Sequence, residues 1–320
     1  MKAPRLYIVI PCYKEEEALP RTAERLDALY ADLIQKGLIA ADSRIALVDD
    51  GSKDDTWGVI SRLHEGDAKY EGVKLAHNAG HQNALWAGMM TVKDQCDCLI
   101  SMDADLQDDV GAVYGFLEAY QNGADVVYGV RSSRKKDTAF KRLTAEGFYK
   151  FMGAMGADVV YNHADYRLLS RRAVEALSQF GEVNLFLRGM VPLLGFKTEK
   201  VYYERGERVA GESKYPLKKM LKFAMEGILS FSVKPITWIT TFGVLFVILG
   251  VIMGIYTLVS LIVGHVVSGW ASLMISIWFI GGVQLIALGI IGQYIGKIYL
   301  ETKARPRYII SERTWEENDR

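Results

Sequence analysis

Residues 101 to 109 read SMDADLQDD and crowd Asp103, Asp105, Asp108 and Asp109 into one short stretch. Two carboxylates two positions apart lie on one side of an extended segment. Held that close, they resist joint ionisation unless a cation sits between them. A hard divalent ion with oxygen ligands, Mg²⁺ or Mn²⁺, resolves the conflict. Gln107 shares that side if the segment stays extended. Taken alone, the pair is equally well explained as a polar loop. Asp109 is assigned to the start of the next helix and Asp108 is left without a role.

Other polar residues could join this chemistry. In VDDGSKDDT (48–56), Asp54 or Ser52 can cap a helix. Capping does not account for Asp49 and Asp50, which can accept hydrogen bonds from a base N–H or a ribose hydroxyl. In HNAGHQNALWAG (77–88), Asn78 and the flexible Gly80 precede a helix, and His81 reads as a polar loop residue. Arg131 and Arg134 could meet a diphosphate through their guanidinium groups. ADYRLLSRRAV (164–174) carries Asp165 and Arg167 ahead of another helix. ERGERVAGESKYPLKK (204–219) is a charged loop that holds Arg205, Ser213 and Lys214, and composition alone allows it to be a solvated linker.

These residues need a scaffold, and the apolar pattern supplies one. Strands are predicted at Leu6–Pro11, Arg44–Asp50, Gly72–Asn78, Cys98–Asp105 and Ala124–Arg131. Helices are predicted near 16–35, 54–64, 82–93 and 110–122. This alternation specifies an α/β domain with a mostly parallel sheet. Ligands bind beyond the carboxyl ends of such strands. Pro11 and Tyr13, Asp49 and Asp50, Asn78, Asp103 and Asp105, and Arg131 all fall there. That convergence favours a ligand site, with metal at 103 and 105, over a set of separate helix caps.

Net charge is zero, with 38 basic and 38 acidic residues, which gives no reason to expect nucleic acid as a partner. The three cysteines, Cys12, Cys96 and Cys98, fit a reducing compartment, and no second pair completes a zinc site. The N-terminal segment reads as a first strand, not a secretion signal. Between Lys234 and Lys297 there is no Lys, Arg, Asp or Glu, over about sixty residues where one membrane crossing needs about twenty. Two spans, near 236–263 and 271–296, are expected to be joined by the turn GHVVSGW (264–270). Lysines and arginines flank both ends and only His265 marks the turn, so both ends are expected to be cytoplasmic. From Pro216 to Phe231, Leu217, Leu221, Ala224 and Ile228 share one face opposite Lys218, Lys219, Lys222 and Glu226, the pattern of an interfacial helix. Gly281, Gly282, Gly289, Gly292 and Gly296 permit close helix packing, so a homo-oligomer is expected.

With IPCYKEEE, VDDGSKDDT, NAGHQNAL, DADLQDD, GVRSSR, DYRLLSR and RVAGESKY in this order, the chain resembles the polyprenyl-phosphate branch of the family-two glycosyltransferases. That branch includes dolichol-phosphate mannose synthases and bactoprenol glucosyltransferases, and the tail ARPRYIISE looks like the latter. The resemblance covers nearly all of the chain and departs at Lys14, where the family usually has Asn. It implies a GT-A (Rossmann-like) domain at 1–213, an amphipathic helix at 214–233, a transmembrane hairpin within 234–297 and a cytoplasmic tail at 298–320. It implies a nucleotide-sugar pocket of Pro11, Tyr13, Glu15, Asp49, Asp50, Asn78, Gly80 and Asp103. Metal ligation falls to Asp103, Asp105 and Gln107, and phosphate binding to Arg131, Arg134, Arg205, Ser213 and Lys214. Asp165, Asp105 and Arg131 are the catalytic candidates, with Asp165 beside the reacting centre.

The expected reaction is inverting transfer of one hexose from a nucleotide-diphosphate sugar, UDP-glucose first, to undecaprenyl phosphate in a bacterial inner membrane. The acceptor is already an anion, so the reaction needs no strong base. A processive polysaccharide synthase is the first alternative, but the chain has no Arg-Trp pair and too few spans for a polymer pore. A non-catalytic scaffold or flippase subunit is the second, against which stand the intact motifs and the uncharged spans.

Overall fold

The computed structural model describes residues 3–105, 107–132, 163–204, 234–263 and 269–315. They fall into two units. The first holds 3–132, 163–204 and 305–315, and the second 234–263 and 269–304.

The first unit is built on a sheet of order β7-β5-β6-β4-β1-β2-β3-β8. Its centre is β1 (Leu6–Cys12), buried along its whole length. It pairs in parallel with β2 (Arg44–Asp49) on one side and β4 (Cys98–Ser101) on the other. β3 (Tyr70–Leu75) extends the parallel run beyond β2. Burial on both faces explains why β1, β2 and β4 read as mostly apolar runs. Leu6, Ile8 and Ile10 face a core shared with α1 (Leu19–Gln35), α2 (Thr56–Gly66) and α4 (Ala112–Gln121). α3 (His81–Val92) lies over the other face, where a Cβ at Gly88 would come within 2.5 Å of Val9. The helices therefore sandwich the sheet, and every parallel strand sends its carboxyl end to one edge.

Three strands lie beyond that periodic pattern. β6 (His163–Ser170) runs antiparallel between β4 and β5 (Val126–Arg131). Its amino end therefore reaches the same edge as the carboxyl ends of β4 and β5. β7 (Thr198–Tyr203) pairs in parallel with β5 at one border. β8 (Ile310–Arg313) comes from the segment read as a tail and pairs antiparallel with β3 at the other. Glu312 accepts from Trp57 Nε1 at 3.1 Å and Lys74 Nζ at 2.7 Å, and Thr314 Oγ1 accepts from Gly72 N. α5 (Arg171–Ser178) follows β6 and is capped by Ser170, whose Oγ accepts from Ala173 N; α6 (Leu187–Leu193) comes next.

In the second unit the uncharged stretch forms two helices, α7 (Lys234–Ile262) and α8 (Trp270–Lys303). Among the described residues one segment, Phe279–Lys303, is long and apolar enough to cross a membrane. The expected helix at 216–231 and most of the turn, 264–268, lie outside the described residues.

Two positions at the site-bearing edge carry backbone constraints. Gly51 turns the chain after β2 at φ +64°, and a Cβ there would come within 2.5 Å of the His77 backbone. Lys14 holds φ +58°, a region that Asn and Gly enter with less strain. Gly51→Ala is expected to destabilise the protein by about 2 kcal/mol through strain and overlap. Lys14→Asn is expected to raise the melting temperature, reflecting up to about 1 kcal/mol of relieved strain. Thermal unfolding of both variants beside the wild type checks the two signs.

Candidate active site

The end of β1 meets the end of β2 through Asp50 N, which donates to Cys12 O at 2.8 Å. Asp50 then reaches sideways. Its Oδ1 accepts from Ala79 N at 2.7 Å and its Oδ2 from Gly80 N at 3.0 Å, which fixes the loop leading into α3. Burial raises the Asp50 carboxyl pKa more than these two N–H groups lower it, with Asp49 adding to the rise. The result is a cavity of about 210 Å³ walled by Pro11, Cys12, Tyr13, Glu15, Asp50, Asn78, Gly80 and His81. It gathers most of the residues predicted for a nucleotide. Asp49 is not among them. It is fully buried, its Oδ1 accepts from Ser52 N at 3.1 Å, and its Oδ2 has no hydrogen-bond partner among the described residues.

The acidic stretch does not continue as a strand. β4 stops at Ser101, the last residue that pairs with β6, instead of running to Asp105. Beyond it Gln107 N donates back to Asp105 Oδ1 at 3.1 Å, which turns the chain. Side-chain alternation therefore does not set the relation of Asp103, Asp105 and Gln107. Gln107 is buried, Asp105 exposed and Asp103 half-buried. Asp109 takes its assigned place at the helix start, accepting from Gly111 N at 2.9 Å.

Asp108 acquires a role that the sequence left open. Buried, it accepts from Tyr203 OH at 2.6 Å and from Arg131 Nη2 at 3.2 Å. Arg131 ends β5 at the edge, and its guanidinium lies against this carboxylate with part of its surface still exposed. Arg134, Arg205, Ser213 and Lys214 lie outside the described residues.

Asp165 stands near the amino end of β6, on the edge shared with Asp103. Arg167, two residues further along the strand and fully buried, bonds its Oδ1. Arg188 of α6 reaches both oxygens, Nε to Oδ1 at 3.2 Å and Nη2 to Oδ2 at 3.0 Å. Burial alone would raise the Asp165 pKa. The two guanidinium groups outweigh it and hold the carboxyl well below the usual carboxylate range. A group held this firmly in its ionised form is a poor proton acceptor.

His81, read as a loop residue, is the first residue of α3 and sets Nε2 3.6 Å from Asp103 Oδ1. Burial raises the Asp103 pKa and His81 lowers it, while Asp165, Asp108 and Asp105 raise it further; the net shift is upward. Glu15 shifts the same way, first by burial and then by Asp105, Asp54 and Asp103. Carboxylates that disfavour one another's ionisation suit a hard cation. Among the described residues no three His, Cys, Asp or Glu side chains form a cage. Mg²⁺ does not require one, because it binds through one or two carboxylates together with substrate phosphates and water.

Residues 7–178 match the family described as glycosyl transferase family 2. The chain belongs to glycosyl transferase family 2. It is 52% identical over 307 residues to a Bacillus subtilis (strain 168) protein named as the uncharacterized glycosyltransferase YkoT, covering 96% of this chain and 91% of that one. It is 38% identical over 314 residues to the bactoprenol glucosyl transferase of Shigella phage SfX, covering 97% and 99%. The prophage bactoprenol glucosyl transferase homolog of Escherichia coli (strain K12) is 37% identical over 311 residues, covering 96% and 98%. This chain is therefore an enzyme, a glycosyltransferase of family 2, with a GT-A, Rossmann-like and mostly parallel sheet. A larger cavity of about 800 Å³ lies elsewhere in the glycosyltransferase, beside Asp97, Asp125, Arg171 and Arg172. Those four residues pair with one another, and none of the residues at the site-bearing edge lines it.

Removing the charge of Asp165 strands two guanidinium groups. Asp165→Asn is expected to cost about 3 kcal/mol at pH 7, the scale for breaking a buried pair. Because the folded pKa lies below the unfolded one, that stabilisation is present above the ordinary carboxylate range and is lost as pH falls through the folded value. Denaturant unfolding of wild type and variant should show a constant gap between pH 5 and 8 that narrows in stronger acid.

Proposed function

We propose that this glycosyltransferase moves one hexose, glucose from UDP-glucose in the first instance, onto undecaprenyl phosphate at the cytoplasmic leaflet of a bacterial membrane. The observation that carries this reading is the state of Asp165. A carboxylate clamped by two arginines on the reactive edge does not serve an acceptor that must lose a proton. It does serve a phosphate acceptor, which arrives ionised. The relatives named as bactoprenol glucosyl transferases, matched along nearly the full length of both chains, support the same acceptor.

In this reading the nucleoside occupies the cavity between Tyr13, Glu15 and the loop that Asp50 fixes. Asp103 and Asp105 would hold Mg²⁺ or Mn²⁺. The bound ion supplies Lewis-acid stabilisation of charge on the leaving diphosphate. The acceptor phosphate oxygen forms the new bond to the anomeric carbon from the far side. The bond from that carbon to the diphosphate oxygen breaks, the nucleoside diphosphate leaves, and the configuration inverts. Asp165 orients the acceptor or the sugar and takes no proton, so positioning makes the larger contribution. α7 and α8 form the membrane hairpin. The catalytic domain and both termini face the cytoplasm, and the glycine-bearing helix supports a homo-oligomer.

Membranes that contain the full chain, supplied with labelled UDP-glucose, Mg²⁺ and undecaprenyl phosphate, are expected to yield a lipid carrying a single sugar. A polymer would point to a processive synthase. Absence of product from any donor would point to a non-catalytic role. Asp103→Ala and Asp105→Ala are each expected to lower turnover at least about 100-fold at saturating Mg²⁺, on the scale of losing one preorganised electrostatic contact. Wild-type rates in either variant would remove that residue from the metal site.

A further inference from the structure

Asp165 is held by two arginines that come from different elements and play different parts. Arg167 is two residues away on β6, is fully buried, and sits where the strand puts it. Arg188 is 28% exposed and comes from α6, twenty-three positions away in sequence. It is the group that reaches both carboxylate oxygens, in the bidentate geometry that fixes orientation as well as charge. What holds Arg188 in place is therefore what aims Asp165.

α6 is seated by its first residue. Leu187 O accepts from Arg167 Nη1 at 3.3 Å, and Leu187 N donates to Gln82 Oε1 at 3.0 Å. Phe186, Leu187, Met190 and Val191 are buried and anchor the short helix. Gln82 is the second residue of α3. It follows His81, which faces Asp103, and the Gly80 N–H bound by Asp50. A continuous set of contacts thus runs from the loop that walls the donor cavity, through Gln82 and Leu187, to Arg188 and Asp165. Arg188 lies at the junction between the donor side of the site and the Asp165 side.

We propose that Arg188 is a positioning residue for glycosyl transfer, which aims the Asp165 carboxylate at the reacting centre and ties its orientation to the donor loop through α6 and Gln82. The proposal rests on the reading of Asp165 given above. Arg188 acts through Asp165 and does not bind the donor, so its loss lowers turnover and leaves donor affinity in place.

The test uses the full chain in membranes, with turnover measured at saturating donor and acceptor and UDP-glucose affinity measured separately. Arg188→Ala is expected to lose 100-fold or more in kcat, with donor affinity within threefold of wild type. Arg188→Lys, which keeps the charge and loses the bidentate fork, is expected to fall between the two. Combining Arg188→Ala with Asp165→Asn is expected to cost no more than Asp165→Asn alone, because groups acting as one unit are non-additive. Gln82→Ala is expected to give a smaller loss of the same kind. Near-wild-type turnover in Arg188→Ala overturns the proposal. So does a loss that multiplies with that of Asp165→Asn, or a parallel loss of donor affinity. Should Arg188→Ala fail to fold, Arg188→Lys decides, a tenfold loss supporting the role and full turnover overturning it. Wild-type transfer with a different donor or acceptor corrects the proposed function instead, and the same ratios measured on that pair still judge Arg188. Absence of transfer by the wild type on every pair overturns both.

Discussion

Carboxylates repel one another, and this fold brings an unusual number of them to one edge of a sheet. Each has to be answered there by something other than bulk water. Asp50 is answered by two backbone N–H groups, Asp108 by Arg131 and Tyr203, and Asp165 by Arg167 and Arg188. Glu15 and Asp103 are answered less completely. Burial and neighbouring carboxylates hold both above the ordinary carboxylate pKa, as burial does for Asp50 in spite of its two N–H partners. In the proposed function, the charge left uncompensated by the protein is concentrated where a cation and a diphosphate would meet. The partnered acids hold the edge in shape: Asp50 fixes a loop, Asp108 ties Arg131 to Tyr203, and Asp165 ties β6 to α6 through Arg188.

The arrangement depends on the direction of β6. A parallel strand between β4 and β5 would deliver its carboxyl end to the site and send Asp165 to the opposite edge. Because β6 runs antiparallel, the residue near its start arrives beside Asp103. Strand periodicity then places Arg167 on the same side as Asp165, one pleat deeper. An ion pair within a strand can hold a guanidinium in the sheet interior, a position that arginine alone would not tolerate.

The central sheet and the polar strand ends were legible in the sequence because β1, β2, β4 and β5 are largely apolar runs, while β3 carries Glu71 and Lys74 within it. The border strands were not. β7 is polar along most of its length because an edge strand faces water, and β8 is a charged segment that reads as a tail. β6 was hidden by Asp165 and Arg167, whose mutual compensation is visible only in three dimensions. Distance along the chain hid the pairings. Tyr203 meets Asp108 across 95 positions, and Arg188 meets Asp165 across 23. Arg131 was correctly placed at the edge, but its partner is a protein carboxylate that the pattern gave no reason to connect to it. His81 reads as a loop residue because its ring becomes informative only once helix α3 begins at that residue and turns it towards Asp103.

The central claim is that residual negative charge at Asp103 and Asp105 is there to be shared by a divalent ion and a donor diphosphate. The direct measurement is the affinity of the full-length protein for Mn²⁺, followed by the loss of the free-ion resonance, with and without saturating UDP. Two carboxylates without a closed cage should bind the ion weakly, and the diphosphate should complete the site. The account predicts affinity at least tenfold higher in the presence of UDP. Equal affinity with and without the nucleotide would contradict it.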